Sequence, residues 1–170
     1  MDESDLVAIG GGSGGYTAAI RATQLGLTAV VIEREKIGGT CLHKGCIPTK
    51  VLLETAEALS LVRRSGALGV RVDNISLDYS AVAARKEQVV ETLHQSIRSV
   101  IQKHKIEIIQ GQARLNSPTE VAVNGRVIRA KHVVLGTGSQ PKELPGLPAD
   151  GVRVLNSDHL LERVESPKSL

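Results

Sequence analysis

The stretch from Leu6 to Gly15, LVAIGGGSGG, leaves this chain few folds to choose from. A short apolar run, Leu6 to Ile9, ends in glycines. A helical pattern follows from Gly14 to Leu25, and Gly26 stops it. A second β-branched run, Thr28 to Glu33, comes next. Strand, glycine turn, helix and strand in that order make the unit from which parallel sheets are built. Gly10, Gly12 and Gly15 stand inside it at G-x-G-x-x-G spacing. That spacing alone can be a plain tight turn. Here a strand precedes it, a helix opens from it, and Glu33 ends the next strand at about the 20-residue distance that a dinucleotide fingerprint needs. The first glycine permits the turn, and the second lets a pyrophosphate approach the backbone. The third lets helix and strand pack closely, with the helix N-terminus facing the phosphate charge. Ser13 and Gly14 complete the loop. A carboxylate at Glu33, followed by Arg34, accepts both ribose hydroxyls and repels a 2′-phosphate. The pattern predicts a site for an adenine dinucleotide with an unphosphorylated ribose, and leaves FAD and NAD both open.

The rest of the chain continues the α/β alternation. Pro48 suits a first helical position, and the helix it opens runs to Gly66. A long helix is expected from about Asp78 to Lys103, with Val82, Val89, Val90, Leu93, Ile97, Val100 and Ile101 at near-helical spacing. From Ile106 the period changes to that of strands. Thr119 to Ala130 reads as a hairpin turning at Asn124-Gly125. His132 to Ser139, HVVLGTGS, reads as a further buried strand ending in glycines, and prolines punctuate the loops beyond Gln140.

Gly38 to Lys50, GGTCLHKGCIPTK, holds the only two cysteines, Cys41 and Cys46. A metal site needs about four ligands, and Cys41, Cys46 and His43 make at most three, so no metal is expected. Two unrelated buried thiols would leave the glycines Gly38, Gly39 and Gly45 unexplained. A redox-active pair fits better. Cys46 lies just before a helix whose positive end favours a thiolate, and Lys50 adds a cation nearby.

With these residues in view, the chain resembles the pyridine nucleotide–disulfide oxidoreductases, the two-domain flavoprotein reductases. The cysteine motif carries the likeness, and VAIGGGSGGYTAAIRATQLG and VVLGTGSQP extend it in the expected order. Within the family, Thr49 is similar to the Ser/Thr of the dihydrolipoamide dehydrogenase branch, where glutathione and trypanothione reductases usually carry lysine. Mercuric reductases stay open as an alternative. The resemblance implies FAD as cofactor, with NAD bound by a separate domain later in the chain. It implies that Gly10, Gly12, Ser13, Gly14, Gly15, Glu33 and Arg34 serve the adenosine and pyrophosphate. Gly39, Thr40 and Cys41 would line the pyrophosphate and flavin, Lys50 would lie near flavin N5, and Ala113 would meet the adenine side by its backbone. Thr137, Gly138 and Ser139 would close the site. Cys41 is implied as the thiol that exchanges with substrate and Cys46 as the flavin-side thiol. The implied partners are a dihydrolipoamide-bearing acyltransferase of a 2-oxo acid dehydrogenase complex and a second copy in a homodimer. Two positions depart from the family pattern: Gly136 stands where alanine is usual, and Ser13 where proline or alanine is common.

The fold class expected is α/β, a Rossmann-like doubly wound parallel sheet with helices on both faces and a small antiparallel hairpin or meander. Residues 1–150 read as the first, incomplete segment of an FAD-binding domain. Residues 151–170 read as a linker toward an NAD-binding domain outside this chain. The isolated chain is therefore expected not to complete turnover; the competing reading is a non-catalytic module with a weak or empty nucleotide site. Composition narrows the alternatives. Net charge is +3, but the basic residues are scattered and only Tyr16 and Tyr79 are aromatic, so nucleic acid is not an expected partner. No apolar run reaches the roughly 18 residues of a membrane span. The acidic start MDESD lacks the basic region of a signal peptide, and a cysteine pair of this kind suits the reducing cytoplasm. His43 and Lys44 read as solvated loop residues, and His94, His104, His132 and His159 as surface or capping residues.

Overall fold

The computed structural model describes residues 2–170 and divides them into two compact units. The first takes the chain up to Cys41 and again from Leu93 to Gln140; the second takes Leu42–Thr92 and Pro141–Leu170.

The first unit is one six-stranded sheet in the order β3-β2-β1-β6-β5-β4. Its strands are β1 (Asp2–Ile9), β2 (Ala29–Glu33), β3 (Glu107–Gln110), β4 (Arg114–Ser117), β5 (Glu120–Val123) and β6 (Arg126–Leu135). β1 pairs in parallel with β2 through Leu6↔Ala29 to Ile9↔Ile32, and with β6 through Asp2↔Ile128 to Ile9↔Leu135. β2 pairs in parallel with β3, while β4, β5 and β6 are antiparallel. Val7, Ala8, Val30, Val31 and Ile32 are all buried, as continuous apolar runs covered on both faces must be. The hairpin turns where the sequence placed it. Asn124 and Gly125 have φ of 49° and 76°, the pair of positive values that a type I′ turn demands.

Two expectations about the strands change. The hairpin's return strand and the strand read from His132 are a single strand, β6. It is not buried along its length either: Ile128 and Ala130 are, but Val133 and Val134 are half-buried and Leu135 is exposed. The second change concerns the faces. Helix α1 (Ser13–Gln24) supplies Ala19 and Ala22, and the end of α4 (Tyr79–Lys103) supplies Ile101, to a cluster with Ala8, Ala29 and Val31. The opposite cluster joins Val7, Ile9, Val30, Ile32 and Ile109 to Val121, Val123, Ile128 and Ala130, and contains no helical residue. Its cover is the antiparallel end of the sheet. β5 and β3 are four places apart in strand order, about 19 Å in an open sheet. Yet Asn124 Nδ2 donates to the Gln110 carbonyl at 2.8 Å, and Arg126 donates to Glu107 at 3.0 Å. The meander therefore folds back across the parallel strands and fills the place of a second helical layer in this unit.

The second unit holds the last half of α2 (Gly39–Lys44), all of α3 (Cys46–Arg64) with a 3-10 turn at Ser65–Leu68, the first part of α4, and α5 (Ser157–Leu161). Pro48 is the third helical residue rather than the first, which costs nothing because first-turn N–H groups have no acceptor within the helix. The buried stripe of α4 is Ala83, Lys86, Val90, His94 and Ile101, with Ile97 half-buried. His94 is thus a core residue, and Leu93 and Val100 of the apolar count are exposed. Lys86 is 3% exposed; its ammonium donates to the Leu161 carbonyl at 2.5 Å and meets Glu87 at 2.9 Å. It ties α5, whose N-terminus is closed by an Asn156–His159 capping box, to α4. No described helix is long and apolar enough to cross a membrane.

Candidate functional site

From β1 the chain crosses to β2 on one side, while β6 joins β1 on the other. The carboxyl ends of β1 and β6 therefore flank the point where strand order reverses, which is where open α/β sheets form ligand crevices. Each end is followed at once by a glycine, Gly10 after β1 and Gly136 after β6. Gly136 N donates to the Ile9 carbonyl and Gly10 N to the Ile32 carbonyl, each at 2.8 Å. Gly10 has φ +106°, and a Cβ there would drive into the Gly136 carbonyl and lie 3.2 Å from Thr137 N. A Cβ on Gly15 would strike the Gly10 carbonyl. These two glycines are required by the approach of β6 and α1 to the loop.

Gly12 is the N-cap of α1. No side chain caps this helix start, and no acidic residue occupies its first turn. Ser13 and Gly14 are exposed, and a Cβ on Gly14 would meet nothing within 4 Å. The partial positive charge of this helix start is thus met by no capping side chain or first-turn carboxylate, the condition for holding an anion. The backbone that comes closest to Gly12 is Gly39, φ +67°, where a Cβ would stand 2.7 Å from Gly12 Cα. Gly38 N donates to the Gly11 carbonyl at 2.8 Å, so the start of the cysteine segment is seated on the glycine loop.

Glu33 fixes the loop from the other side. One carboxylate oxygen accepts from Gly11 N at 2.6 Å and the other from Glu35 N at 2.8 Å. Each oxygen keeps a lone pair for a ribose hydroxyl. Sequence spacing flagged Glu33 for ribose but missed Gly11, whose Cβ would stand 3.0 Å from Glu33 Cβ and against the end of Ile37. The signal was present, since three successive glycines are more than the motif needs. Arg34 is exposed and lies 3.5 Å from Glu35. Gly111 N donates to the Glu33 carbonyl at 2.8 Å, which brings the Gly111–Ala113 segment to the same sheet end; Ala113 packs on the strand-only cluster. Thr137, Gly138 (φ +74°) and Ser139 follow Gly136 as exposed loop. The donor set suits a dinucleotide: a bare helix start between glycines for a pyrophosphate, and a carboxylate for a ribose diol.

Gly39, Thr40 and Cys41 belong to α2, and Gly45 alone separates it from α3. His43 and Lys44 are helical rather than looped, and Lys44 lies 3.8 Å from Glu162. Cys46 is the first residue of α3, beside the partial positive charge of that helix start. Lys50 follows four residues later on the same helix face and is exposed. Cys41 and Cys46 are not joined by a disulfide, and both are exposed.

Comparison with known proteins adds an independent line. A family profile described as pyridine nucleotide-disulphide oxidoreductase matches residues 4–170. A dihydrolipoyl dehydrogenase of Bacillus subtilis is 43% identical over 181 residues, covering 99% of this chain and 38% of that protein. The mitochondrial dihydrolipoyl dehydrogenase of Pisum sativum is 39% identical, covering 99% of this chain and 35% of its own length. A leghemoglobin reductase of Vigna unguiculata is also 39% identical, with 99% of this chain and 34% of its length covered. The chain thus spans little more than a third of the curated relatives it matches.

Proposed function

Because the chain belongs to the pyridine nucleotide-disulphide oxidoreductases, we propose that these residues are the FAD-binding, thiol-bearing part of a dihydrolipoamide dehydrogenase. The crevice between β1 and β6 is the observation that carries the reading, because its glycines, open helix start and Glu33 match the parts of one adenine dinucleotide. Gly12, Ser13 and Gly14 would hold the pyrophosphate, with Gly39 opposite. Glu33 would take the ribose, the backbone at Ala113 the adenine side, and Thr137, Gly138 and Ser139 the remaining wall. FAD, when bound there, supplies a two-electron acceptor that reoxidises a dithiol.

The chemistry assigned to the chain is thiol–disulfide exchange. In the oxidised form Cys41 and Cys46 share a disulfide. One thiolate of dihydrolipoamide attacks Cys41 Sγ, the Cys41–Cys46 bond breaks, and Cys46 leaves as a thiolate at the start of α3. The second substrate thiolate then displaces Cys41, releasing cyclic lipoamide and leaving both cysteines reduced. Lys50, one turn from Cys46, adds positive charge beside that thiolate. In the whole protein the electrons would pass on to NAD⁺ bound outside these residues. The dithiol donor would be the lipoyl group of an acyltransferase in a 2-oxo acid dehydrogenase complex, the whole protein would act as a homodimer, and its place would be the cytoplasm.

The test is to mix the purified chain with FAD, remove free cofactor, and record the visible spectrum before and after dithiothreitol. A retained flavin band that gains a long-wavelength shoulder on reduction supports FAD and the Cys46 thiolate in one site. No retained flavin overturns the reading for this chain.

A further inference from the structure

The β5–β6 hairpin tip reaches β3, and the contact bears on the wall that runs on from Glu33. Asn124 Nδ2 donates to the Gln110 carbonyl at 2.8 Å. The next residue, Gly111, has no room for a side chain: a Cβ would lie 2.5 Å from Asn124 Oδ1 and 2.8 Å from Val123 Cγ2. Gly111 N donates in turn to the Glu33 carbonyl. At the other end of β3, Arg126 bridges Glu107 and Asp2, so the tip is pinned along the whole strand. Asn124, Gln110, Gly111 and Glu33 thus form one connected line from the hairpin to the backbone of Glu33, the residue whose carboxylate is proposed for ribose, and Ala113 follows two residues after Gly111.

We propose that Asn124 is a positioning residue for the adenosine half of the bound dinucleotide: it seats the hairpin on Gly111 and so fixes the Gly111–Ala113 wall beside Glu33. This rests on the dinucleotide reading of the crevice. Asn124 touches no ligand itself; it acts through the Gln110 carbonyl and the space that Gly111 leaves.

Two substitutions isolate the side chain. Asn124→Gly keeps a residue at ease with positive φ and removes the amide. Asn124→Asp keeps the shape and turns the donor into an acceptor. ADP and FAD affinities are measured calorimetrically well below the melting midpoint of each variant, so partial unfolding does not enter. Amide exchange at Gly111 is followed by NMR without ligand. The proposal expects both variants to weaken ADP and FAD by the same factor, about three- to tenfold, with faster exchange at Gly111. Unchanged ADP affinity in a folded variant overturns it, as does a loss for FAD that ADP does not share. A wild-type chain that binds neither ligand overturns the dinucleotide reading itself, and is thereby distinguished from failure of the Asn124 assignment alone.

Discussion

Glu33 shows how much one residue type at one strand end decides. Its two carboxylate oxygens take the N–H groups of Gly11 and Glu35, so the group proposed for ribose also builds the loop proposed for the phosphates. Glu33→Gln replaces one acceptor by a donor facing a donor. We expect a loss of about 1–3 kcal/mol in urea unfolding, together with weaker FAD retention; wild-type values in both measurements would refute the double role. The glycines separate in the same way. A methyl at Gly15 meets the rigid Gly10 carbonyl, whereas one at Gly14 meets open space. Gly15→Ala should cost about 1–3 kcal/mol and Gly14→Ala should stay within about 0.5 kcal/mol, read from paired denaturation curves. Spacing found Gly15 because the motif fixes it. It could not find that Gly136 lies against Gly15, with room for a Cβ only at 3.2 Å from Gly15 N, because that approach joins residues far apart in the chain.

At the scale of elements, pairing between distant strand ends holds the first unit. Asp5 is the clearest case. The Lys131 ammonium, then the Thr28 backbone N–H and hydroxyl, hold its carboxyl well below the ordinary carboxylate range. Asp2 is lowered too, chiefly by its hydrogen bond from Arg126. Both groups bind protons more weakly folded than unfolded. Their contribution is therefore present above the ordinary value of about 3.9 and drains away as pH falls below it. The melting temperature should drop on acidification below about pH 4, and Asp5→Asn should flatten that drop; an unchanged slope would remove Asp5 from the account. Lys86 makes a different kind of tie. Replacing it with alanine leaves the Leu161 carbonyl without its donor. The variant should lose about 1–3 kcal/mol and become open to proteolysis beyond Asn156; resistance equal to wild type would show that α5 is held by other means. The helical period of α4 was legible in the sequence, but its inward face was not. Apolar counting cannot see a lysine whose charge is met by a carbonyl and a carboxylate, nor a histidine placed on the buried stripe.

For the whole molecule, the composition and the two motifs together already pointed to one chemistry. These residues carry one G-x-G-x-x-G loop and one cysteine pair. With that loop given to FAD, the flavin-loaded chain should be reduced by dihydrolipoamide yet yield no steady NADH when NAD⁺ is added; sustained NADH formation would show that a second nucleotide site is present. What the sequence determined by itself was local: the strand-turn-helix around Gly10 to Gly15, the Asn124-Gly125 turn, the helix over Tyr79–Lys103, and the family through the Cys41–Cys46 motif. Each depends on a few neighbouring residues, on side-chain period, on φ, or on motif spacing. The tertiary structure decided what depends on residues distant in the chain. It folded the meander over the face where helices were expected, because β5 and β6 present Val121, Val123, Ile128 and Ala130 as an apolar surface that only the bare side of the parallel strands can bury. It placed Gly39 against Gly12, and it joined Asn124 to the end of β3. No period in a single segment encodes such contacts, since they exist only once the strands have taken their order.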